Sequence, residues 1–502
     1  MLDVAPLDLE ARTAGILNRH PAVGLAVGVV RDGALASFSA HGLADIASGR
    51  PMDEDTVVRV ASITKTFTAV AVMQLWERGL VDLDAPAGDY LRAYRLIPAD
   101  PGWPPVTLRH LLTHTSGIGE EVIRSRALRR DFGESVPEGR PVPTPAEYYG
   151  RGIRVGAEPG TRFRYTDHGP TTVGQIVEDV SGLPFDRYLR ERVFAPLGMT
   201  DTDIVRTDRI AARLATGYTL GRRGPRPVAQ RNWVTAGASN AYSTPRDVGR
   251  YLAALLGGGA NEHGSVLEPG TLAMMFAPQY QPDRRIPGMG LAFWRGTAGE
   301  HPVVEHQGLL PGFDSEIALA PGDGVGVMAF CNGTRQGAMW VPAETGRLLG
   351  DLLGVAEAPI RTDVPQHPEI WADLCGWYAL PGPVTDVRMR GFMGPGAEVF
   401  VHGDRLRLRF LTPVPPLYRG FDLHPDDPSD PYAFRMDFSA FGMGGWPLVF
   451  RPADGTMALH FDLMPVSLER RSARTNPRRW ATGALAVTAA VGAGWATRRR
   501  AG

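Results

Sequence analysis

The 502-residue chain is 43% hydrophobic and 21% charged, with a formal charge of -1 at pH 7. That balance is globular, allows two or three domains, and argues against a nucleic-acid partner, since neither half carries a sustained basic excess. Two cysteines, Cys331 and Cys375, give no disulfide framework and fit a reducing compartment. The opening Met1-Leu2-Asp3-Val4 has no basic or apolar signal region, so the expected location is cytoplasmic.

In chain order, residues 7–20 read as a short amphipathic helix. Residues 22–30 and 34–41 read as two strands joined at Arg31-Asp32-Gly33. Residues 60–68 run into an apolar helix pattern over 69–76 that Gly79 can close. A loop over 80–85, a short helix over 89–96 and another over 107–113 follow. Residues 119–150 are polar, arginine-rich and aperiodic, which predicts a surface excursion bordering a site. Helices are expected over 171–180, 185–194 and 244–256, the last with Thr244 as N-cap and Pro245 in its first turn. Antiparallel strands are expected over 303–306, 314–320 and 326–331, then a helix over 341–353. Strands at both ends with helices between give an α/β (α+β) sandwich of antiparallel sheet and helices, its all-helical part inserted.

The organising stretch is Ser62-Ile63-Thr64-Lys65. On a helix its first and last residues lie one turn apart on one face, placing an amine beside a hydroxyl. Lys65 is the only lysine in the chain; every other basic residue of the Lys/Arg pair is arginine. Arginine holds its proton at any accessible pH, whereas a lysine amine can be driven neutral and accept one. The bland alternative is arginine-biased usage with one chance survivor.

Beyond a Pro-containing linker over 356–368, residues 377–469 change to short strands about ten residues apart, the texture of a small antiparallel barrel. The expected division is therefore 1–355, the linker, a barrel-like domain over 369–470 and a tail over 476–502. Arg405, Arg407 and Arg409 share one strand face, most simply a solvated one. Residues 480–496 carry no charge, hold a tryptophan near each end and are flanked by arginines. They read either as a tail anchor giving membrane association or as a loosely helical tail. Seventeen residues rise only about 25 Å against a hydrocarbon core of about 30 Å.

Three ordered motifs, Ser62-x-x-Lys65, Tyr165-Thr166-Asp167 and His306-Gln307-Gly308, resemble those of the serine beta-lactamase-like hydrolases: class C beta-lactamases, D-alanyl-D-alanine carboxypeptidases, D-aminopeptidases and related esterases. Supporting phrases are Leu111-Leu112-Thr113-His114-Thr115-Ser116-Gly117, Pro159-Gly160-Thr161, Pro196-Leu197-Gly198-Met199 and Gly312-Phe313. The resemblance covers roughly residues 15–350 and implies the beta-lactamase/transpeptidase-like form of the sandwich. It also implies an acyl-enzyme on Ser62, with Lys65 assisting, Tyr165 as general base and His306 beside it. Backbone N–H groups of Ser62 and Leu309 would form the oxyanion hole, with Asp167 and Gly308 on the substrate side. No metal or cofactor is implied. A tyrosine near its ordinary value of about 10 is a poor base at neutral pH, so neighbouring cations at Lys65 and His306 are expected to lower it.

Two departures matter. The second motif usually reads Tyr-x-Asn, and an ionised Asp167 only accepts hydrogen bonds and favours a protonated Lys65. The third has His306 where true beta-lactamases usually carry lysine. The expected substrate is therefore a small-molecule ester or D-amino-acid amide. The rivals are a catalytically weak scaffold of the same fold and a genuine beta-lactamase or DD-carboxypeptidase. His110 and His114, at i,i+4 spacing without an evident third ligand, read as packing residues rather than a metal pair.

Overall fold

The computed structural model describes residues 8–119, 134–334, 339–356, 359–382, 390, 393–412, 414–439, 444–453, 455–462 and 464–478. The chain divides into two compact units, Met1–Ala358 and Pro359–Gly502.

The first unit is built on a seven-stranded sheet. Its strands are β1 (Gly24–Arg31), β2 (Ala34–Asp45), β3 (Arg50–Pro51), β4 (Trp294–Ala298), β5 (His301–Leu310), β6 (Phe313–Ala320) and β7 (Val325–Cys331). They lie in the order β4-β5-β6-β7-β1-β2-β3. The β1–β7 pairing, Val27 opposite Ala329, closes the early strands against the late ones. This is how the segment between them becomes an insertion.

Successive β1 side chains point to opposite faces. Leu25, Val27 and Val29 join one core with Leu9 and Ile16 of α1 (Leu9–Arg19) and Leu348 and Leu349 of α6 (Trp340–Leu352). Ala26 and Val30 join the other core with Phe67 and Val70 of α2 (Thr64–Glu77) and Tyr251 of α5 (Pro245–Leu256). The strand is therefore covered on both faces, which is why it reads as a near-continuous apolar run. The α2 helix is buried over nearly its whole length, from Thr64 to Leu75. Two more helices frame the site: α3 (His168–Ser181) and the single turn α4 (Ala236–Ser239).

The second unit contains a closed eight-stranded antiparallel barrel running from Gly376–Ala379 to Ser467–Arg471, whose last strand pairs back onto the first. Leu406, Leu408 and Phe410 alternate inward with the arginine row between them. That row is engaged: Arg407 pairs with Asp422 and Arg409 with Glu398.

Local expectations differ from the structure in several places. The predicted helix over 89–96 is a 3-10 turn at Ala87–Asp89 followed by a strand, Leu96–Pro98, which pairs with Ile153–Val155. Proline at 98 and this non-local pairing override a short helical pattern. Strand β5 is longer than 303–306, and β4 escaped detection. The helix over 185–194 is one α turn, Phe185–Leu189, continued as a π turn over Arg190–Phe194. Part of the 119–150 excursion, residues 120–133, and the 480–496 stretch lie outside the described residues. Among the described residues no helix is long and apolar enough to cross a membrane.

Candidate active site

Ser62 lies in a 3-10 turn, Ala61–Ile63, that runs directly into α2. The preceding Ala61 has φ +51°, a left-handed conformation that is costly for a residue with a Cβ. The turn is fixed from both sides. Val60 N–H donates to Ala241 O, and Thr64 Oγ1 donates to Ala61 O while accepting from Ala241 N–H. The half-exposed hydroxyl thus stands at the start of a helix, where first-turn N–H groups lack intrahelical acceptors.

Lys65 is completely buried. Its Nζ lies 2.9 Å from Ser62 Oγ, 2.7 Å from Asp167 Oδ1 and 3.2 Å from Ala238 O, the last contributed by α4. Burial alone pulls the amine down, but Asp167 and Tyr165 outweigh it and the net shift is upward. At rest Lys65 is an ammonium ion with a carboxylate partner. Asp167 occupies the N-cap position of α3 without a side-chain capping bond, so its carboxylate serves the amine instead.

Lys65 Nζ stands 4.9 Å over the Tyr165 ring. Burial raises the phenol, Lys65 opposes this, and Asp167 adds to the rise, for a net upward shift. His306 is fully buried, and its Nδ1 lies 2.7 Å from Gln307 O. Burial and the nearby Lys65 charge push its imidazole down to about 3, so it is neutral. The expected lowering of Tyr165 by two cations is therefore corrected. His306 carries no charge, and desolvation of the phenol exceeds the help from Lys65.

The remaining residues come from β5. Pairing with β4 ends at Trp294 opposite Glu305, leaving the following residues beyond that strand's reach. Gly308 lies against the Ser62 segment, where a Cβ would come within 2.2 Å of both Val60 O and Ser315 Oγ. Its place is one of close backbone approach, with Ser315 Oγ tying the strands by a 3.0 Å bond to Val60 O. Leu309, 46% exposed, follows on the open side. Thus Ser62, Lys65 and Asp167 meet directly, the Tyr165 ring lies against the Lys65 amine, His306 lies behind them, and Gly308 and Leu309 border them.

Sequence reasoning missed two neighbours. His114, assigned to packing, has φ +56° and is buried, its ring centroid 4.4 Å from that of Tyr165. Its carbonyl accepts from Arg164 N–H at 2.7 Å and its Nδ1 from Thr166 N–H at 3.3 Å, so it holds the chain on both sides of Tyr165. The Leu111–Gly117 phrase was the available signal. Trp294 stacks on Tyr165 at 5.9 Å and packs on His306. It arrives on the undetected strand β4. His110, by contrast, belongs to the Thr107 capping box.

The chain is similar to several known proteins. Esterase EstB of Burkholderia gladioli is 34% identical over 247 residues, covering 46% of this chain and 59% of the esterase. Penicillin-binding protein 4 of Amycolatopsis lactamdurans is 28% identical over 390 residues, 74% of this chain and 97% of that protein. The octameric penicillin-binding protein homologue from Pyrococcus abyssi has the same fold, with a TM-score of 0.61 at 24% identity over 92% of this chain and 100% of its own. D-amino acid amidase from Ochrobactrum anthropi SV3 matches with a TM-score of 0.55 at 26% identity, over 69% and 99%. The family model described as Beta-lactamase matches residues 9–350. The chain belongs to the beta-lactamase family of serine hydrolases.

Proposed function

We propose that the protein cleaves a small ester or D-amino-acid amide through a covalent acyl-enzyme on Ser62. The observation that carries this is the buried Lys65 amine, 2.9 Å from Ser62 Oγ and 2.7 Å from Asp167. In this reading the Lys65–Tyr165–Asp167 cluster holds one proton too many at rest. Once that proton leaves to solvent, the cluster takes the Ser62 proton as Oγ bonds to the substrate carbonyl carbon. The N–H groups of Ser62 and Leu309 stabilise the oxyanion. Tyr165 returns the proton to the departing alcohol or amine, and water then hydrolyses the acyl-Ser62 ester to release the acid. His114 and Trp294 keep the Tyr165 ring in place, and His306 supports it as an uncharged neighbour.

A neutral His306 in place of a cation supports esters and uncharged amides over substrates recognised by a carboxylate. The similarity to an esterase and to a D-amino acid amidase supports the same classes. A fluorophosphonate probe tests the nucleophile: labelling is expected in the wild type and lost in Ser62→Ala. No labelling of folded wild-type protein would favour the scaffold reading. Turnover of p-nitrophenyl butyrate is expected to exceed that of nitrocefin, and faster nitrocefin hydrolysis would favour a penicillin-recognising enzyme. A panel of esters and D-amino-acid amides then fixes the acyl and leaving groups.

A further inference from the structure

Glu316 lies in the middle of β6 and is buried, and neither of its carboxyl oxygens has a hydrogen-bond partner. Side chains of a strand alternate between its faces. Ala318 and Ala320 of β6 and Val303 of β5 join the core under α6, so Glu316 and Glu305 stand on that face, away from Ser62. Ile317, Leu319 and Val304 face the other way, into the core that holds α2. Gln307 pairs with Glu316 and Glu305 with Ala318, which makes Glu305 the diagonal neighbour of Glu316 across the ladder. Two carboxyl groups therefore share one side of the β5–β6 pair.

Among the described residues no cation offsets them. Gln307, directly opposite Glu316, donates to Met339 Sδ instead. On β6 itself Asp314 is a third acid, bound to Thr334. On β7 the titratable neighbour is the Cys331 thiol, which burial raises. The charged groups of α6 are engaged elsewhere: Glu344 with Arg19, His20 and Arg347, and Asp351 with Arg12. Arg295 of β4 donates to Phe276 O and Pro287 O, and His301 at the start of β5 pairs with Asp323. Burial, then the charge of Glu305, holds the Glu316 carboxyl well above its ordinary range, and burial raises Glu305 as well. Each acid is one residue from a group that builds the site. Glu305 precedes His306, and Glu316 follows Ser315, whose Oγ bonds Val60 O beside Gly308.

We propose that the Glu305–Glu316 pair is a pH-sensitive latch on the strand that presents Gly308 and Leu309 to Ser62. With Glu316 protonated, β5 and β6 lie closed against the Ser62 turn. When Glu316 gives its proton to solvent, a second negative charge stands beside Glu305 in an apolar, cation-free layer, and the β5–β6 pairing loosens. The direction follows from burial: the neutral carboxyl belongs to the closed form, which is complete at low pH and lost as pH rises through the raised folded value. The effect on turnover rests on the acyl-enzyme reading of Ser62; the effect on the strand does not.

The test is peptide-resolved amide hydrogen exchange over His301–Leu310 in the full-length protein, wild type against Glu316→Gln, compared at equal pH so that the intrinsic exchange rate cancels. At about pH 9 the wild-type strand should exchange at least about three-fold faster than the variant, and at about pH 7 the two should agree within about two-fold. The kcat for p-nitrophenyl butyrate should follow, the wild type losing at least about three-fold relative to Glu316→Gln between those pH values, reversibly. Glu305→Gln removes the like charge that helps to keep Glu316 protonated, so its loosening should set in at lower pH than in the wild type. Equal exchange in wild type and Glu316→Gln at the higher pH overturns the proposal, as does a Glu305→Gln profile that stays in place or moves upward. An exchange difference without a turnover difference in an active enzyme overturns the coupling to the site. The expected exchange pattern in a protein that turns over no ester upholds the latch and overturns the Ser62 reading instead.

Discussion

Replacing Asp167 by asparagine removes the carboxylate that holds a proton on the Lys65 amine while preserving shape. Asp167 Oδ1 lies 2.7 Å from Lys65 Nζ, and its charge opposes proton loss from both Lys65 and Tyr165. At that separation and an effective dielectric of about 20, the Coulomb attraction is on the order of 6 kcal/mol. A change of 1.36 kcal/mol moves a titration by about one unit. If a quarter of the attraction is left uncompensated, the rising limb of the rate profile moves by about one pH unit. The sign follows from the charge: without Asp167 the cluster gives up its proton more readily, so the limb moves to lower pH. The assay is kcat/KM for p-nitrophenyl butyrate between about pH 5 and pH 9, with circular dichroism as a control for folding. Asp167→Asn should reach half-maximal activity at least about one pH unit earlier and be more active than wild type below that point. A limb that stays in place, moves upward, or disappears in a folded protein refutes the assignment of Asp167 as the proton-retaining partner. Asparagine also restores a donor toward a substrate amide, so amide turnover should gain at least as much as ester turnover.

Lys65→Arg keeps the charge but not the ability to release a proton, so fluorophosphonate labelling should fall by about 100-fold or more in folded protein; near wild-type labelling would remove proton transfer from Lys65. Gly308→Ala puts a Cβ into the Val60 carbonyl, which is backbone and cannot rotate away. It should cost about 1–3 kcal/mol of stability and lower ester kcat by displacing β5; unchanged melting temperature and rate would show that the strand yields freely. Glu316 is 1% exposed, and both its carboxyl oxygens lack partners among the described residues. Burial, then the charge of Glu305, raises its carboxyl well above 4.5. Its contribution to stability is complete below the unfolded value and lost as pH rises through the raised folded one. Glu316→Gln should therefore stabilise increasingly from about pH 5 upward, by about 1–3 kcal/mol, in thermal unfolding followed against pH; a gain that does not grow with pH would mean that Glu316 is compensated.

Much of the site was legible because its chemistry is written locally. Ser62 and Lys65 are three residues apart, and any helical turn must bring them to one face. The solitary lysine singled out the amine proposed to move the proton, since arginine could replace it wherever only charge was needed. The strand pair at 22–41, the apolar α2 and the Thr244 cap were likewise local patterns. Strand β4 was not legible: Trp294–Ala298 alternates weakly, and it is a strand because β5 pairs with it. His114 was misassigned for the same reason. Its i,i+4 relation to His110 is a sequence fact, but its contact with Tyr165 spans some fifty positions and depends on a left-handed backbone.

Sequence alone determined which groups could form a nucleophile and its proton partner, because covalent spacing and side-chain chemistry travel with the chain. Only the tertiary structure decided their charge states. Burial of Tyr165 and His306, and the 2.7 Å approach of Asp167 to Lys65, are long-range consequences of packing. Protonation follows local dielectric and neighbouring charge, neither of which a linear sequence specifies.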